Sequence, residues 1–159
     1  MANPPPQSPT PVEDTAPTPR PTVGGIMSRR VVTVTMDDTL AKARELFAEF
    51  HFHHVLVVEQ KRLVGVISDR DLLKAISPYV DTLSETERDL ATLRKRVHQV
   101  MSHTPITVTA DTPIEAAAQL LIDKKVSCLP VVTKDDKLEG IVSWRDLLKA
   151  YFNLQTSRP

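Results

Sequence analysis

Apolar and polar residues alternate from Val31 to Thr35, the period of a half-buried strand, and Asp37 and Asp38 then stand where a helix start needs caps. Leu40, Ala43, Phe47 and Phe50 follow at helical spacing, which predicts a helix over 39–50 with those four on its buried face. The β-rich run Val55 to Val58 turns back through Leu63 to Ile67 as a hairpin, and a short helix starts near Ser68. This β-α-β-β-α order then recurs. Ile106 to Thr109 reads as a strand, and Thr112-Pro113-Ile114-Glu115 sets an N-cap, a first-turn proline and a capping-box glutamate before the helical run Ala116 to Ile122. Cys128 to Val132 and Leu138 to Val142 supply a second hairpin, followed by a helix from Trp144 to Phe152.

Between the two copies, Ser84 to Glu87 forms another capping-box pattern, with Arg94, Lys95 and Arg96 placed to complement the dipole at the helix end. Leu83, Leu90 and Val97 fall seven apart with Leu93 beside them, so this connecting helix carries one apolar stripe for a repeat or for another subunit.

The recurrence is visible in the residues themselves. Gly65-Val-Ile-Ser68-Asp-Arg70-Asp71-Leu-Leu-Lys-Ala75 nearly repeats as Gly140-Ile-Val-Ser143-Trp-Arg145-Asp146-Leu-Leu-Lys-Ala150, an offset of 75. Upstream, Met27-Ser28 and Thr33-Val34-Thr35 match Met101-Ser102 and Thr107-Val108-Thr109 at an offset of 74. One residue was therefore gained between the two strands of the second hairpin, where a turn tolerates it. Each unit alone would have a marginal core, so the expected fold is α+β, with two pseudo-symmetric repeats packed as one module. The expected boundaries are a tail at 1–22, a first repeat at 23–80, the connecting helix at 81–97, a second repeat at 98–155 and a short tail at 156–159.

Composition narrows the function classes. Twenty basic and 20 acidic side chains cancel, so net charge gives no reason to expect a nucleic-acid partner. A single cysteine, Cys128, forms no internal disulfide framework and suits a reducing compartment. No secretory signal pattern and no apolar run of membrane-spanning length is present, which points to the cytoplasm and away from a membrane. Eight of the 13 prolines lie in the first 21 residues among Ser and Thr, the composition of a disordered Pro-rich tail, or alternatively of a docking motif for a proline-reading partner.

Gly-x-x-Ser-x-x-Asp closes each repeat. Ser68 with Asp71, and Ser143 with Asp146, can act as helix caps with an acid at the third position. The glycines at 65 and 140 also permit close approach to the strand, a helix start favours phosphate, and a carboxylate there can accept from paired hydroxyls such as those of ribose. Arg70 and Arg145 can reach phosphates or stand as solvated first-turn charges. His51, His53 and His54 bracket a helix-to-strand loop; they suit cleft lining, with pH-dependent anion binding, better than a metal site, for which no cysteine or carboxylate cluster stands nearby in sequence. Cys128 reads as an inert core thiol, and Trp144 either covers the hairpin or stacks on a base. There is no phosphate-cradling glycine loop, no nucleophile with a recognisable base and no metal-ligand set, so no enzyme and no cofactor are expected.

Over about residues 23 to 155 the repeats resemble two tandem cystathionine-beta-synthase (CBS) domains, the pair called a Bateman module. The resemblance implies two clefts that bind adenosine-containing ligands (AMP, ADP, ATP or S-adenosylmethionine), in a regulatory and non-catalytic role such as energy sensing. It implies ribose contacts at Ser68 with Asp71 and at Ser143 with Asp146. Each cleft would be completed by the other repeat: Arg30, Val32, Phe52, His53 and His54 beside Ser143, and Thr104, Ile106, Val126, Ser127 and Cys128 beside Ser68. The family's Pro-Val-Val stands at Pro130-Val131-Val132 but is Leu56-Val57-Val58 in the first copy, so the two sites need not be equivalent. The resemblance further implies a homodimer, a flat disc joined through the longer helices, acting on a separate target protein. A structural dimerisation module without ligand is the alternative.

Overall fold

A hairpin and the helices that flank it recur in both halves of the computed structural model, which describes residues 21–156. In the first repeat, β1 (Thr33–Val34) leads to α1 (Leu40–Phe50), the hairpin of β2 (His54–Glu59) and β3 (Arg62–Ser68), and α2 (Asp69–Ala75). A connecting helix, α3 (Glu87–Leu93), precedes the second repeat of α4 (Ile114–Lys124), β4 (Cys128–Val132), β5 (Leu138–Ser143) and α5 (Trp144–Thr156). β1 runs parallel to β2, which pairs antiparallel with β3; β4 and β5 form the matching antiparallel pair.

The strand expected at 106–109 is reduced to one parallel bridge, Val108 to Val131. Val108 N–H donates to Pro130 C=O (3.1 Å) and Val132 N–H donates to Val108 C=O (2.9 Å). One more rung would need an N–H at position 130, and proline has none. In the first repeat Leu56 occupies that position and is paired with Thr33.

The gained residue lies in the turn of the second hairpin. Gln60 and Lys61, both at positive φ (48° and 67°), make a two-residue turn closing Glu59 on Arg62. Thr133 N–H bonds Lys137 C=O (2.9 Å) around a three-residue turn with Asp136 at φ 60°. The two tips are joined: Leu63 N–H donates to Asp136 C=O (3.0 Å), Leu138 N–H to Lys61 C=O (3.1 Å), and Arg62 Nε to Asp135 C=O (3.0 Å).

Two apolar cores result, and the segments before each first strand are exchanged between them. Val34, Leu40, Ala43, Val55, Val57, Ile67 and Leu72 form the first core together with Val97 and Met101 from beyond the connecting helix. Val108, Ala117, Leu121, Leu129, Val131 and Val142 form the second together with Val23. The glycines permit this crossing. A Cβ on Gly65 would lie 2.8 Å from Ser102 C=O, and one on Gly140 would lie 2.6 Å from Ser28 C=O. Ser102 accordingly bridges Val66, and Ser28 bridges Ile141. The close approach anticipated at these glycines is made by the chain itself.

Several local expectations shift. Thr39, not Asp37 or Asp38, caps α1, its hydroxyl accepting from Lys42 N–H (3.3 Å); Asp38 instead accepts from Thr35 N–H (2.8 Å) and Lys42 Nζ (2.9 Å). Phe50 is exposed and stacks on Phe52, with ring centroids 5.4 Å apart, so it leaves the buried face shared by Leu40 and Ala43. The connecting helix starts later, with Thr86 and Asp89 as its reciprocal capping box, and Glu85 ahead of it accepts from Asp81 N–H (2.7 Å). The late start leaves Leu83 outside the helix and fully exposed, and the stop at Leu93 carries Val97 into a 3-10 turn of the first core. α4 begins at Ile114 after Pro113, and the Thr112 hydroxyl accepts from Thr109 N–H (3.1 Å). The Pro-rich tail expected at 1–22 lies outside the described residues except for Pro21 and Thr22. Those two are held by Ile114 N–H on Pro21 C=O (3.1 Å) and by a Thr22 to Pro113 bridge.

Candidate functional site

Both repeats end on a strand that runs directly into a helix, so Ser68 and Ser143 stand at the junctions with Asp71 and Asp146 in the first turns. Ser68 Oγ accepts from Asp71 N–H (3.1 Å) and donates to Asp71 Oδ2 (2.6 Å). Ser143 Oγ donates to Asp146 Oδ2 (2.7 Å), which also accepts from Ser143 N–H (2.8 Å). The Ser68 hydroxyl caps its helix, whereas at the second junction the Asp146 carboxylate takes the Ser143 N–H. Each aspartate uses only Oδ2 in these bonds, and Oδ1 of each makes no hydrogen bond among the described residues.

Each pair opens on a cleft walled by the other repeat. The Ser143 and Asp146 cleft, about 190 Å³, is also lined by Phe52, His53 and His54 as the resemblance implied, together with Arg145, Trp144, Ile141, His51, Ser127 and Cys128. Arg30 and Val32 are not among the lining residues; Arg30 is exposed, its carbonyl accepting from Ser28 Oγ (3.3 Å). The Ser68 and Asp71 cleft, about 220 Å³, is lined by Thr104, Ile106, Val126 and Cys128 of the implied set, and by His54, Val66, Ser102, Pro105 and Pro130. Ser127 turns to the opposite cleft.

His54 and Cys128 line both clefts because hairpin register sets each beside the serine of its own repeat: His54 pairs with Ser68, and Cys128 with Ser143. Ser102, Ile141 and Val66 were missed from sequence. The matching Met-Ser pairs and the glycines at 65 and 140 carried the signal, since the crossing they permit brings Ser102 to the Ser68 cleft.

A third recess of about 610 Å³ lies between the clefts, where Arg70, Lys125 and Arg145 meet His53, His54 and Asp69. His53 Nδ1 lies 2.9 Å from Asp69 Oδ2. Burial raises the Asp69 carboxyl, but the His53 bond and Arg70 N–H outweigh it and hold it below the usual range. Burial also disfavours the charged form of His54 and lowers its pKa, against the pull of Asp69. Cys128 is half-buried, and burial raises its thiol to about 11, so it is a neutral thiol on the cleft wall and not a core residue. Arg145 lies over the Trp144 ring, 5.5 Å from its centroid.

Trp144 has a second aspect. With Ile122, Leu147, Leu148 and Tyr151 it lines an apolar groove of about 470 Å³ between α4 and α5. Among the described residues no three of His, Cys, Asp or Glu are grouped to hold a metal ion, and no helix is long and apolar enough to cross a membrane.

The family model for the CBS domain matches this chain twice, at residues 23–78 and 97–153. A CBS domain-containing protein of Dictyostelium discoideum is 34% identical over 125 residues, covering 77% of this chain and 86% of its own length. The crystal structure of CBSX2 of Arabidopsis thaliana in complex with AMP superposes with a TM-score of 0.71 at 31% identity, over 84% of this chain and 98% of that one. The cytosolic domain of the Mg2+ channel MgtE in complex with ATP gives 0.66 at 28% identity, over 81% of this chain and 48% of that one.

Proposed function

The chain belongs to the CBS domain family, carrying two CBS repeats, and from that premise we propose that it is a non-catalytic regulatory module that binds an adenosine-containing ligand between the repeats. One observation carries the reading: each repeat presents a Ser-x-x-Asp pair whose second carboxylate oxygen is unused and which opens on a cleft. That oxygen is suited to paired ribose hydroxyls. Phe52 and Trp144 offer π-faces in the Ser143 cleft, whereas Val126, Ile106 and Pro105 offer an apolar wall in the Ser68 cleft. The clefts are therefore chemically unequal. AMP in CBSX2 and ATP in MgtE support this class of ligand.

The output in this reading is a change in assembly, as a homodimer, or in contact with a target protein. The apolar face of α4 and α5 supports self-association: Ile122, Trp144, Leu148 and Tyr151 are each about half or more exposed. A cytoplasmic setting suits a chain with one neutral, unpaired thiol.

The test is thermal unfolding against AMP, ADP, ATP, S-adenosylmethionine, NAD and GTP, with the Asp71→Ala/Asp146→Ala variant alongside. A ligand at 100 times its Kd adds about 2.7 kcal/mol and raises the midpoint by several degrees. A rise with one adenosine compound, absent in the variant, is the expected result. No rise with any of them would leave a dimerisation module without ligand.

A further inference from the structure

We propose that residues 17–20, the end of the Pro-rich segment, seat in the apolar groove between α4 and α5 of their own chain and hold a second copy off that face. The seat is independent of the adenosine-binding reading above, and the competition rests on the proposed dimer.

The chain enters the described fold at the mouth of this groove. Pro21 lines it, with Ile114 and Ile122 from α4 and Trp144, Leu148 and Tyr151 from α5. Pro21 C=O accepts from Ile114 N–H (3.1 Å), Thr22 bridges Pro113 in antiparallel sense, and Val23 N–H donates to Thr112 C=O (2.9 Å). Residues 1–20 are therefore tethered at the first turn of α4, beside the groove. A short tether holds its segment at an effective concentration on the order of millimolar, whereas a second copy must arrive from solution.

The segment's sequence fits such a seat. In Ala16-Pro17-Thr18-Pro19-Arg20-Pro21 every residue is a proline or directly precedes one. Proline fixes its own φ and disfavours the helical region for the residue before it, so this stretch favours extended backbone and loses little entropy on docking. Pro-rich extended segments pack on aromatic-lined grooves, and Trp144 and Tyr151 supply the aromatic faces. The lengths agree as well. Ile114 to Ile122 spans about 12 Å at the helical rise of about 1.5 Å per residue. About four residues of polyproline, at ~3.1 Å each, cover that distance.

Charge sets the register. Glu115 is the one charged side chain among the described residues that line the groove, and it makes no ion pair among them. Continuing the antiparallel count from Thr22 opposite Pro113 brings Arg20 opposite Glu115. The groove thus has an acid where the segment enters with a base, and apolar walls for Pro19 and Pro17 beyond it. A seated segment and a second copy cannot cover the same side chains, so the segment raises the concentration at which two chains pair.

Trp144 is the only tryptophan of the chain, so quenching of its fluorescence by acrylamide reads the groove. The measurement uses nucleotide-free full chain, diluted until sedimentation shows monomer. In Pro17→Ser/Pro19→Ser, quenching is expected to rise and emission to move to longer wavelength. Arg20→Glu should do the same, and adding Glu115→Arg should restore the shielding. Dimer affinity by sedimentation should be higher in the proline variant than in wild type. Equal quenching in wild type and the proline variant would overturn the seat and leave the groove to a second copy or to another protein. Shielding that the variant removes but that fades as wild type is diluted would overturn it too, because the segment would then lie on a neighbouring chain. An unshielded variant with unchanged dimer affinity would overturn the competition. A chain that stays monomeric in every variant removes the dimer reading instead, and quenching still decides the seat.

Discussion

Gly65 and Gly140 show at the scale of one residue how the fold and the clefts depend on each other. Neither has a positive φ, so what they supply is space for the Met-Ser segment of the other repeat. Gly140→Ala would press its Cβ on a backbone oxygen 2.6 Å away, and backbone yields less readily than a side chain. Overpacking of this kind costs about 1–3 kcal/mol, which urea unfolding would report as a lower midpoint with unchanged slope. Gly25, where a methyl group would meet nothing within 4 Å, is the control and should tolerate alanine. His54 makes a second residue-scale prediction. Its folded pKa lies below the ordinary 6.5, held there by burial, while Asp69 and Asp71 pull upward and His53 and Arg70 push down. As pH falls below about 6.5 the unfolded chain takes up the proton first, so His54 costs stability progressively until pH passes its lowered folded value. Wild type should therefore lose more stability than His54→Asn between pH 7 and 5; parallel pH curves for the two would refute the assignment.

Elements followed the periodic signal closely, and their ends followed it less well. Both hairpins, α1, α2 and α5 lie where alternation and helical spacing placed them, and Ser68 caps α2. What the pattern did not reveal was competition between neighbouring caps. Ser84 and Thr86 are both N-cap residues, and the choice went to Thr86 because Asp89, three residues on, accepts from Thr86 N–H (2.8 Å) and from Ser77 Oγ (2.5 Å). That selection involves a residue twelve positions away, beyond any local motif. Val108 likewise forms a bridge instead of a strand because of a proline on the adjacent strand. The clefts were legible to the extent that they follow the repeat: Ser-x-x-Asp and the β2 and β4 entries were readable, whereas Ser102 and Lys125 needed the crossing and the helix end in three dimensions. Thr86→Ala removes the cap of α3 and is expected to cost about 1 kcal/mol, seen as faster amide exchange across 87–93. The hydrogen bonds from Ser77 and Thr86 hold the Asp89 pKa low, so the same segment should loosen as pH falls through that lowered value.

For the whole molecule the question is how a filled cleft alters assembly, and Trp144 is the residue common to both. It lines the Ser143 cleft and the central recess on one side and the α4 and α5 groove on the other. If the proposed dimer closes over that groove, ligand and partner subunit touch the same indole, and any preference the ligand has for one setting of the ring becomes a preference for one assembly state. Coupling of this kind is reciprocal: a nucleotide that strengthens the dimer must itself bind the dimer more tightly, by the same factor. Leu148→Asp, on the groove and away from the clefts, is expected to convert a dimer to a folded monomer by sedimentation, since a carboxylate buried at an apolar contact lacks a partner. Trp144→Leu keeps apolar bulk in the groove but removes the shared ring and the Arg145 contact. Sedimentation of wild type with and without saturating AMP should show a shift in dimer affinity, and the shift should shrink in Trp144→Leu while its dimer persists. An undiminished shift in that variant would refute coupling through Trp144.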